Sequence, residues 1–242
     1  MGRVVVFGGN GFVGAEVLRA LVKRGVPAVS VSRGGLAPKQ TADFATEVEW
    51  VAGDALKPDS YRSILEGASA VVVAVGSPPL PFVNYGYQVN ANGATNEKVL
   101  EAAFAANVRR AVVIGATMPQ WCPKGYKDGK NFAEAAAKKF ADGAADASAT
   151  VLKPSAIYGT RSLYGLKIPL WPVLGPVSVV LRNAPGMTAR MTAARPYLLE
   201  GLLVPPVPVS AVAHTVIDAL MDEIFAGKFS VLGPDDILAR NV

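Results

Sequence analysis

The stretch GYKDGKNFAEAAAKKF, residues 125–140, places a tyrosine and a lysine four residues apart, Tyr126 and Lys130. On a helix that spacing puts both side chains on one face, about one turn apart. A phenol beside an ammonium can deliver or take a proton, because the positive charge lowers its pKa. The same ammonium can hold the ribose hydroxyls of a nucleotide. Taken alone the pair fits an ordinary surface helix equally well, so its meaning depends on the elements around it.

A second set of residues lies at the start of the chain. In VVVFGGNGFVGAEVLRAL, residues 4–21, a short apolar run meets Gly8, Gly11 and Gly14, and Val13, Val17, Leu18 and Leu21 follow at helical spacing. A strand that turns through glycines into a helix brings backbone N–H groups and the positive helix end together, an arrangement suited to phosphate. Glycine permits the tight turn, the approach of a pyrophosphate and the packing of helix on strand. The spacing alone also fits a glycine-rich turn that binds nothing; the strand before it and the helix after it favour a dinucleotide.

The next strand ends AVSVSRGG, residues 28–35, where a site for NAD usually carries an acid on the ribose hydroxyls. Here Ser32 and Arg33 occupy the position, and a guanidinium with a hydroxyl suits a 2′-phosphate that a carboxylate would repel. The expectation is a preference for NADP(H) over NAD(H), the alternative being that Arg33 is a solvated loop residue. Asp54 in VAGDAL is placed to meet an adenine edge, and Gly76 in VVVAVGSPP would let the backbone lie against the cofactor. Both also have ordinary turn readings.

These groups need a scaffold, and the apolar pattern supplies one. Strands are expected at Val4–Phe7, Ala28–Ser32, Glu47–Val51, Ala70–Val75, Ala111–Gly115 and Thr150–Lys153. Helices are expected between them near Phe12–Arg24, Asp59–Glu66, Ala91–Ala106 and Phe132–Ala141, with a closing helix from about Ser210. Such alternation argues an α/β fold, and the right-handed crossover rule makes it a doubly wound parallel sheet of the Rossmann type. The whole of 1–242 reads as a single domain. Within it, 155–209 reads as an irregular, apolar, substrate-side section, because Pro169, Pro172 and Pro176 interrupt the uncharged run Ile168–Leu181. That run is also too short and broken to span a membrane, and fits either a buried subdomain or an apolar lid or membrane-surface patch.

Composition narrows the function further. The net charge is +5, and between Lys153 and Ser210 there are six cations against Glu200 as the only acid. No basic run is interleaved with aromatics, which argues against nucleic acid. One cysteine, Cys122, and one histidine, His214, exclude an intrachain disulfide framework and most metal sites; both read as structural. Met1 almost abuts the first strand, so no targeting segment is expected within the chain.

The segments GGNGFVG, YQVNANGATNEKVLEAA, NVRRAVVIGAT, GYKDGK and LKPSAIYGTR together resemble the extended and atypical short-chain dehydrogenase/reductases, over nearly the whole chain. SVSRGG, GDALKPDSY and the apolar stretches after residue 164 are most similar to mitochondrial members associated with coenzyme Q biosynthesis and to plastid members at plastoglobules. A more distant resemblance is to the Rossmann accessory subunit of respiratory complex I. The resemblance implies Gly8, Gly11, Phe12, Val13 and Gly14 at the pyrophosphate, and Ser32 and Arg33 at the adenosine ribose or its phosphate. It implies Asp54 and Ala55 at adenine, Gly76 beside the ribose, and Asn90 facing the active site. Tyr126 and Lys130 match the catalytic pair, Thr117 falls at the assisting hydroxyl, and Pro154 and Ser155 border the nicotinamide. Where the family carries serines, this chain has Gly115 and Ala116.

The resemblance therefore implies an oxidoreductase acting on a hydrophobic carbonyl, alcohol or quinone-related lipid, in a mitochondrion or plastid and peripheral to a membrane. The competing reading is a non-catalytic, nucleotide-bound subunit of a quinone-handling or respiratory complex. A nucleotide-sugar epimerase or dehydratase ranks third, since the C-terminal section is short and apolar for a sugar nucleotide.

Overall fold

The computed structural model describes residues 2–163, 166–184, 188 and 203–240. The chain runs β1 (Val4–Phe7), α1 (Phe12–Lys23), β2 (Ala28–Ser32), β3 (Val48–Ala52), α2 (Arg62–Leu65) and β4 (Ala70–Val73). It continues through α3 (Tyr85–Val89), α4 (Thr95–Ala105), β5 (Arg110–Ile114), α5 (Lys124–Asp142) and β6 (Ser148–Leu152). The C-terminal part adds β7 (Ile157–Tyr158), β8 (Thr160–Leu163), β9 (Leu166–Pro169), α6 (Trp171–Asn183), β10 (Val207–Pro208), α7 (Val209–Met221), β11 (Phe229–Leu232) and α8 (Pro234–Ala239).

Seven strands form one sheet in the order β11-β6-β5-β4-β1-β2-β3, all parallel. The chain winds outward from β1 to β3, then crosses back to β4 and winds the other way. Its direction reverses between β1 and β4, and such a switch point opens a crevice at the carboxyl ends of the strands. This is a doubly wound Rossmann sheet.

Both faces of the sheet are covered, which is why β1 is apolar without alternation. Val4 and Val6 pack with Leu18 and Leu21 of α1 and Ile217 and Leu220 of α7. Val5 and Phe7 pack on the other face with Leu65 of α2, Leu100 of α4 and Phe140 of α5. The Phe7 ring meets Tyr61 edge to face at 4.8 Å.

Three expectations need correction. The helix expected near Phe132–Ala141 starts eight residues earlier, at Lys124, so Tyr126 and Lys130 share it. The helix expected at Ala91–Ala106 is three pieces: α3, a π-helical turn over Asn90–Ala94, and α4. A wider turn rotates each side chain relative to an unbroken helix, which changes the asparagine that faces inward.

The third correction concerns the section expected to be irregular. Its described part holds the antiparallel hairpin β8–β9 and the helix α6, while β7 pairs with β10. Pro172 is accepted because it lies in the first helical turn, where no N–H is needed; Pro169 closes β9, and only Pro176 lies inside the helix. Residues 185–187 and 189–202, which the same expectation included, lie outside the described residues. The seventh strand, β11, was not expected. It is an edge strand, FSVL, whose apolar run is interrupted by Ser230 and whose Val231 is exposed, so it lacks the continuous apolar pattern of β1 and β4.

The turn after β1 is fixed by close contact. Gly8 has φ +85°, and a Cβ on Gly14 would lie 2.2 Å from the Gly8 carbonyl oxygen. Alanine normally favours a helix over glycine, but here overpacking should win. Gly14→Ala is expected to lower stability by about 1–3 kcal/mol in urea denaturation. Gly34→Ala, where an added Cβ meets nothing within 4 Å, should change it by less than about 0.5 kcal/mol.

Candidate functional site

At the switch point lies a cleft of about 420 Å³. Gly8, Gly11, Ser32, Arg33, Asp54, Ala55, Gly76 and Asn90 line it. Gly11 is the N-cap of α1, with no side-chain cap and no acid in the first turn. The helix therefore presents its positive end to the cleft without an internal counter-charge. Phe12, Val13 and Gly14 form the first turn behind it, with the Phe12 ring turned away toward Gly159.

The rim carries the residues expected to choose the nucleotide. Arg33 is exposed there, and Ser32 Oγ accepts a hydrogen bond from Gly35 N at 3.2 Å. Asp54 accepts from Leu56 N at 3.1 Å, so its carboxylate also shapes its own turn. Asn10, which the sequence reading missed, ties the Arg33 loop to the glycine turn. Its Nδ2 donates to Leu36 O at 2.9 Å, and its backbone carbonyl accepts from Gln40 Nε2 at 3.2 Å.

Gly76 stands where a side chain would close the cleft. A Cβ there would lie 2.8 Å from Asn92 Oδ1 and 3.4 Å from Lys130 Nζ. The uncapped helix, the glycine turn and this open floor fit a dinucleotide.

Tyr126 and Lys130 lie on the inward face of α5, only 8% and 7% exposed. Lys130 Nζ donates to Ile114 O, the last residue of β5, at 2.7 Å. Burial pushes its pKa down to about 8. Tyr126 moves the opposite way from expectation: burial, and then the neighbouring Cys122 thiol, push it up to about 12. Desolvation of the phenolate dominates, and Lys130 is not among the groups that shift it. Cys122 is itself buried, and burial raises its thiol pKa.

Other assigned residues are turned toward the backbone. Thr117 N donates to Pro154 O and Thr117 Oγ1 to Lys153 O, each at 2.8 Å. Its hydroxyl proton joins the ends of β5 and β6 rather than facing a substrate, contrary to its expected role. Pro154 is buried beside it, and Ser155 Oγ donates to Pro205 O at 2.5 Å.

Asn90 lines the cleft but is exposed; the buried asparagine is Asn92, at 0% exposure. Asn92 Nδ2 donates to Ser77 Oγ at 2.9 Å and Gln88 O at 3.0 Å, and Oδ1 accepts from Ser77 N at 3.1 Å. It clamps the loop that carries Gly76. Sequence contains both residues in VNANG, and only the π-turn decides between them. Buried Asn96 donates to Asn92 O at 3.0 Å, while its Oδ1 has no hydrogen-bond partner among the described residues.

The apolar run Ile168–Leu181, read from sequence as part of the substrate-side section, contributes none of its described side chains to the lining of this cleft. An apolar groove of about 280 Å³ between α4 and α5 shares no lining residue with the cleft. Among the described residues no group of three His, Cys, Asp or Glu could hold a metal ion.

With this geometry agree the likenesses to known proteins. Residues 8–157 match the family model described as NAD(P)H-binding. The chain belongs to this NAD(P)H-binding family, with the Rossmann fold that short-chain dehydrogenases share with epimerases. An uncharacterised chloroplastic protein of Arabidopsis thaliana is 34% identical over 234 residues, covering 95% of this chain and 75% of that one. A ceramide reductase of Caulobacter vibrioides is 32% identical over 187 residues, covering 74% and 56%. MIOREX complex component 2 of Saccharomyces cerevisiae is 42% identical over 78 residues, covering 31% and 28%. Among solved structures, a UDP-glucose 4-epimerase from Bifidobacterium longum in complex with NAD+ and UDP superposes with TM-score 0.67. The match has 14% identity and covers 96% of this chain and 78% of that one. At that identity the likeness is of fold alone.

Burial of Lys130 has a consequence for stability. Its folded pKa of about 8 lies below the usual 10.5, so between those values the unfolded chain binds more protons. The penalty is fully present below pH 8 and is relieved as pH rises toward 10.5. Relative to Lys130→Met, the wild-type protein should gain about 3 kcal/mol of unfolding free energy across that window. Urea titrations at several pH values would measure this, and a pH-independent difference would contradict the buried ammonium.

Proposed function

We propose that the protein is an NADP(H)-dependent oxidoreductase that reduces a carbonyl on a hydrophobic, lipid-like molecule, a quinone-related lipid included. The observation that carries this reading is the buried pair on α5, a phenol and an ammonium, with Lys130 Nζ 3.4 Å from where a Gly76 side chain would begin at the floor of the cleft. When bound, the nicotinamide supplies the hydride. Tyr126, its pKa raised to about 12, is the protonated phenol at neutral pH, the form that donates. It gives its proton to the oxygen of the reduced carbonyl, which is why reduction is the direction proposed. Lys130 holds the ribose and supplies positive charge beside the phenol. Thr117 is left out, since its proton is directed to Lys153 O.

Substrate class rests on likeness: the Caulobacter relative, 32% identical over 187 residues, is named a ceramide reductase. Cofactor choice rests on Ser32 and Arg33 at the rim, where no acid stands. Residence in a plastid or mitochondrion is proposed on the resemblance and on the chloroplastic relative. A second reading, a nucleotide-bound subunit without turnover, draws support from the Thr117 and Ser155 hydroxyls bound to backbone and from the relative named as a complex component.

Arg33→Asp should raise the Kd for NADPH by roughly 10- to 100-fold, the scale of a lost charge-assisted hydrogen bond. NADH affinity should change far less. Fluorescence titration of both nucleotides measures this, and equal losses would remove the NADP(H) assignment.

Tyr126→Phe separates the two readings. It should leave NADPH affinity nearly unchanged and cut kcat by about 100-fold or more. The assay follows NADPH absorbance with long-chain ketones, ceramide-like keto lipids and quinones presented in detergent. Turnover unaffected by the substitution would exclude Tyr126 as the proton donor, and no turnover with any of the three classes would favour the subunit reading.

A further inference from the structure

Arg33 leaves β2 on a loop whose own side chains do little to hold it. Gly34 and Gly35 follow directly, and a Cβ on Gly34 would meet nothing within 4 Å. Leu36 is 74% exposed, so its side chain adds no packing. Arg33 is itself exposed, and none of the described residues makes a hydrogen bond or ion pair to its guanidinium. A cation on so loose a stretch would have to be ordered by each phosphate it met, and that lost freedom lowers affinity.

Hydrogen bonds supply the order that packing does not. Asn10, inside the glycine turn, donates from Nδ2 to Leu36 O at 2.9 Å. Its Oδ1 accepts a long bond, 3.5 Å, from Ser30 Oγ, a hydroxyl buried on β2. An amide donates at one end and accepts at the other, so this one side chain joins the loop to the core strand. Gln40 Nε2 donates in turn to the Asn10 backbone carbonyl at 3.2 Å. The stretch from Leu36 to Gln40 is therefore fastened at both ends to one residue of the turn. Before it, Ser32 Oγ and Ser32 O both accept from Gly35 N at 3.2 Å, and a Cβ on Gly35 would lie 2.6 Å from Ala52 N of β3. After it, Asp43 is ion-paired with Arg19 of α1, whose Cζ lies 4.9 Å from the centre of the Phe44 ring. Neither Asn10 nor Gln40 is among the residues that line the cleft.

We propose that Asn10 and Gln40 are positioning residues for cofactor choice. By fastening the 33–40 loop to the glycine turn, they hold Arg33 at the 2′-phosphate of a nucleotide whose pyrophosphate sits on that turn. The inference rests on the NADP(H) reading given above. Within a nucleotide the pyrophosphate and the 2′-phosphate are joined through one ribose, so their separation is narrowly limited. A turn and a guanidinium held at a matching separation meet both groups with little further ordering. NADH has no 2′-phosphate and gains nothing from the tie.

The test uses the full chain and fluorescence titration of NADPH and NADH. Gln40→Met removes one N–H, keeps the side chain's length and lies outside the cleft. It should raise the Kd for NADPH about 3- to 10-fold, the scale of one lost hydrogen bond, and leave that for NADH within about twofold. Asn10→Ala should shift the ratio of the two affinities in the same direction, whereas a general loosening of the turn would weaken both nucleotides alike. In an Arg33→Ala background neither variant should move the ratio further, because the tie acts through that guanidinium. Hydrogen exchange of the nucleotide-free protein should quicken over 33–41 in both variants, with β1 and β2 unchanged. If Asn10→Ala does not fold, Gln40→Met carries the test by itself. A selective loss that disappears in the Arg33→Ala background supports the proposal. A ratio that Arg33→Ala changes and the other variants do not overturns it and leaves the NADP(H) reading standing. A ratio that none of the three changes removes both. Faster exchange with an unchanged ratio, or a shift that persists without Arg33, also overturns it, since the bonds would then serve loop stability or another group.

Discussion

The site depends on two stretches of helix backbone touching. A Cβ on Gly125 would lie 2.8 Å from Tyr85 O, and one on Gly129 would lie 2.9 Å from Gln88 O. From the other side, a Cβ on Gly93 would lie 3.0 Å from Gly129 O. No side chain fits between α5 and the α3–π-turn segment, so the helices meet backbone to backbone. That proximity brings Lys130 Nζ within reach of both Ile114 O and the space above Gly76. It also gives the glycines flanking Tyr126 and Lys130 a structural reason independent of chemistry.

Close packing has an electrostatic cost that the two titratable groups share. Both lose water, and desolvation acts on them in opposite directions, raising the phenol and lowering the ammonium. Each is driven toward its neutral form. The buried polar neighbours are few and already committed: Asn92 to Ser77 and Gln88, Thr117 to Lys153. Neither Tyr126 nor Lys130 is among the residues that line the cleft; Lys130 reaches its floor from behind, with Nζ 3.4 Å from where a Gly76 Cβ would lie.

The C-terminal section builds outward from the end of β6. β7 and β10 pair, α6 packs on them, and Ser155 and Ser178 bond to the successive carbonyls of Pro205 and Pro206. Hydroxyls spent on proline carbonyls fix which face of α6 is inward, and the outward side carries Val177, Val179 and Val180 with Arg182 and Asn183. The nucleotide turn and the exposed helix thus belong to one connected piece of structure.

Much was legible in the sequence, for definable reasons. The strand–turn–helix at the start reads directly, since only glycine tolerates a Gly14 Cβ position 2.2 Å from a carbonyl oxygen, and the six strands β1 to β6 announce themselves by their apolar residues. The family follows from the same motifs. Less could be read where a side chain's direction depends on a neighbour. Asn90 and Asn92 are equivalent by spacing until the π-turn sets Asn92 inward. Thr117 looks free until Lys153 O takes its proton, and nothing in the sequence says that Lys130 gives one of its three N–H groups to Ile114 O. The prolines of 168–181 looked like breaks, yet α6 forms because one of them falls in the first turn and the helix packs on β7 and β10. Local pattern determines which elements exist. Burial and competition for hydrogen bonds, which only the assembled tertiary structure provides, decide where each functional group points and what charge it carries.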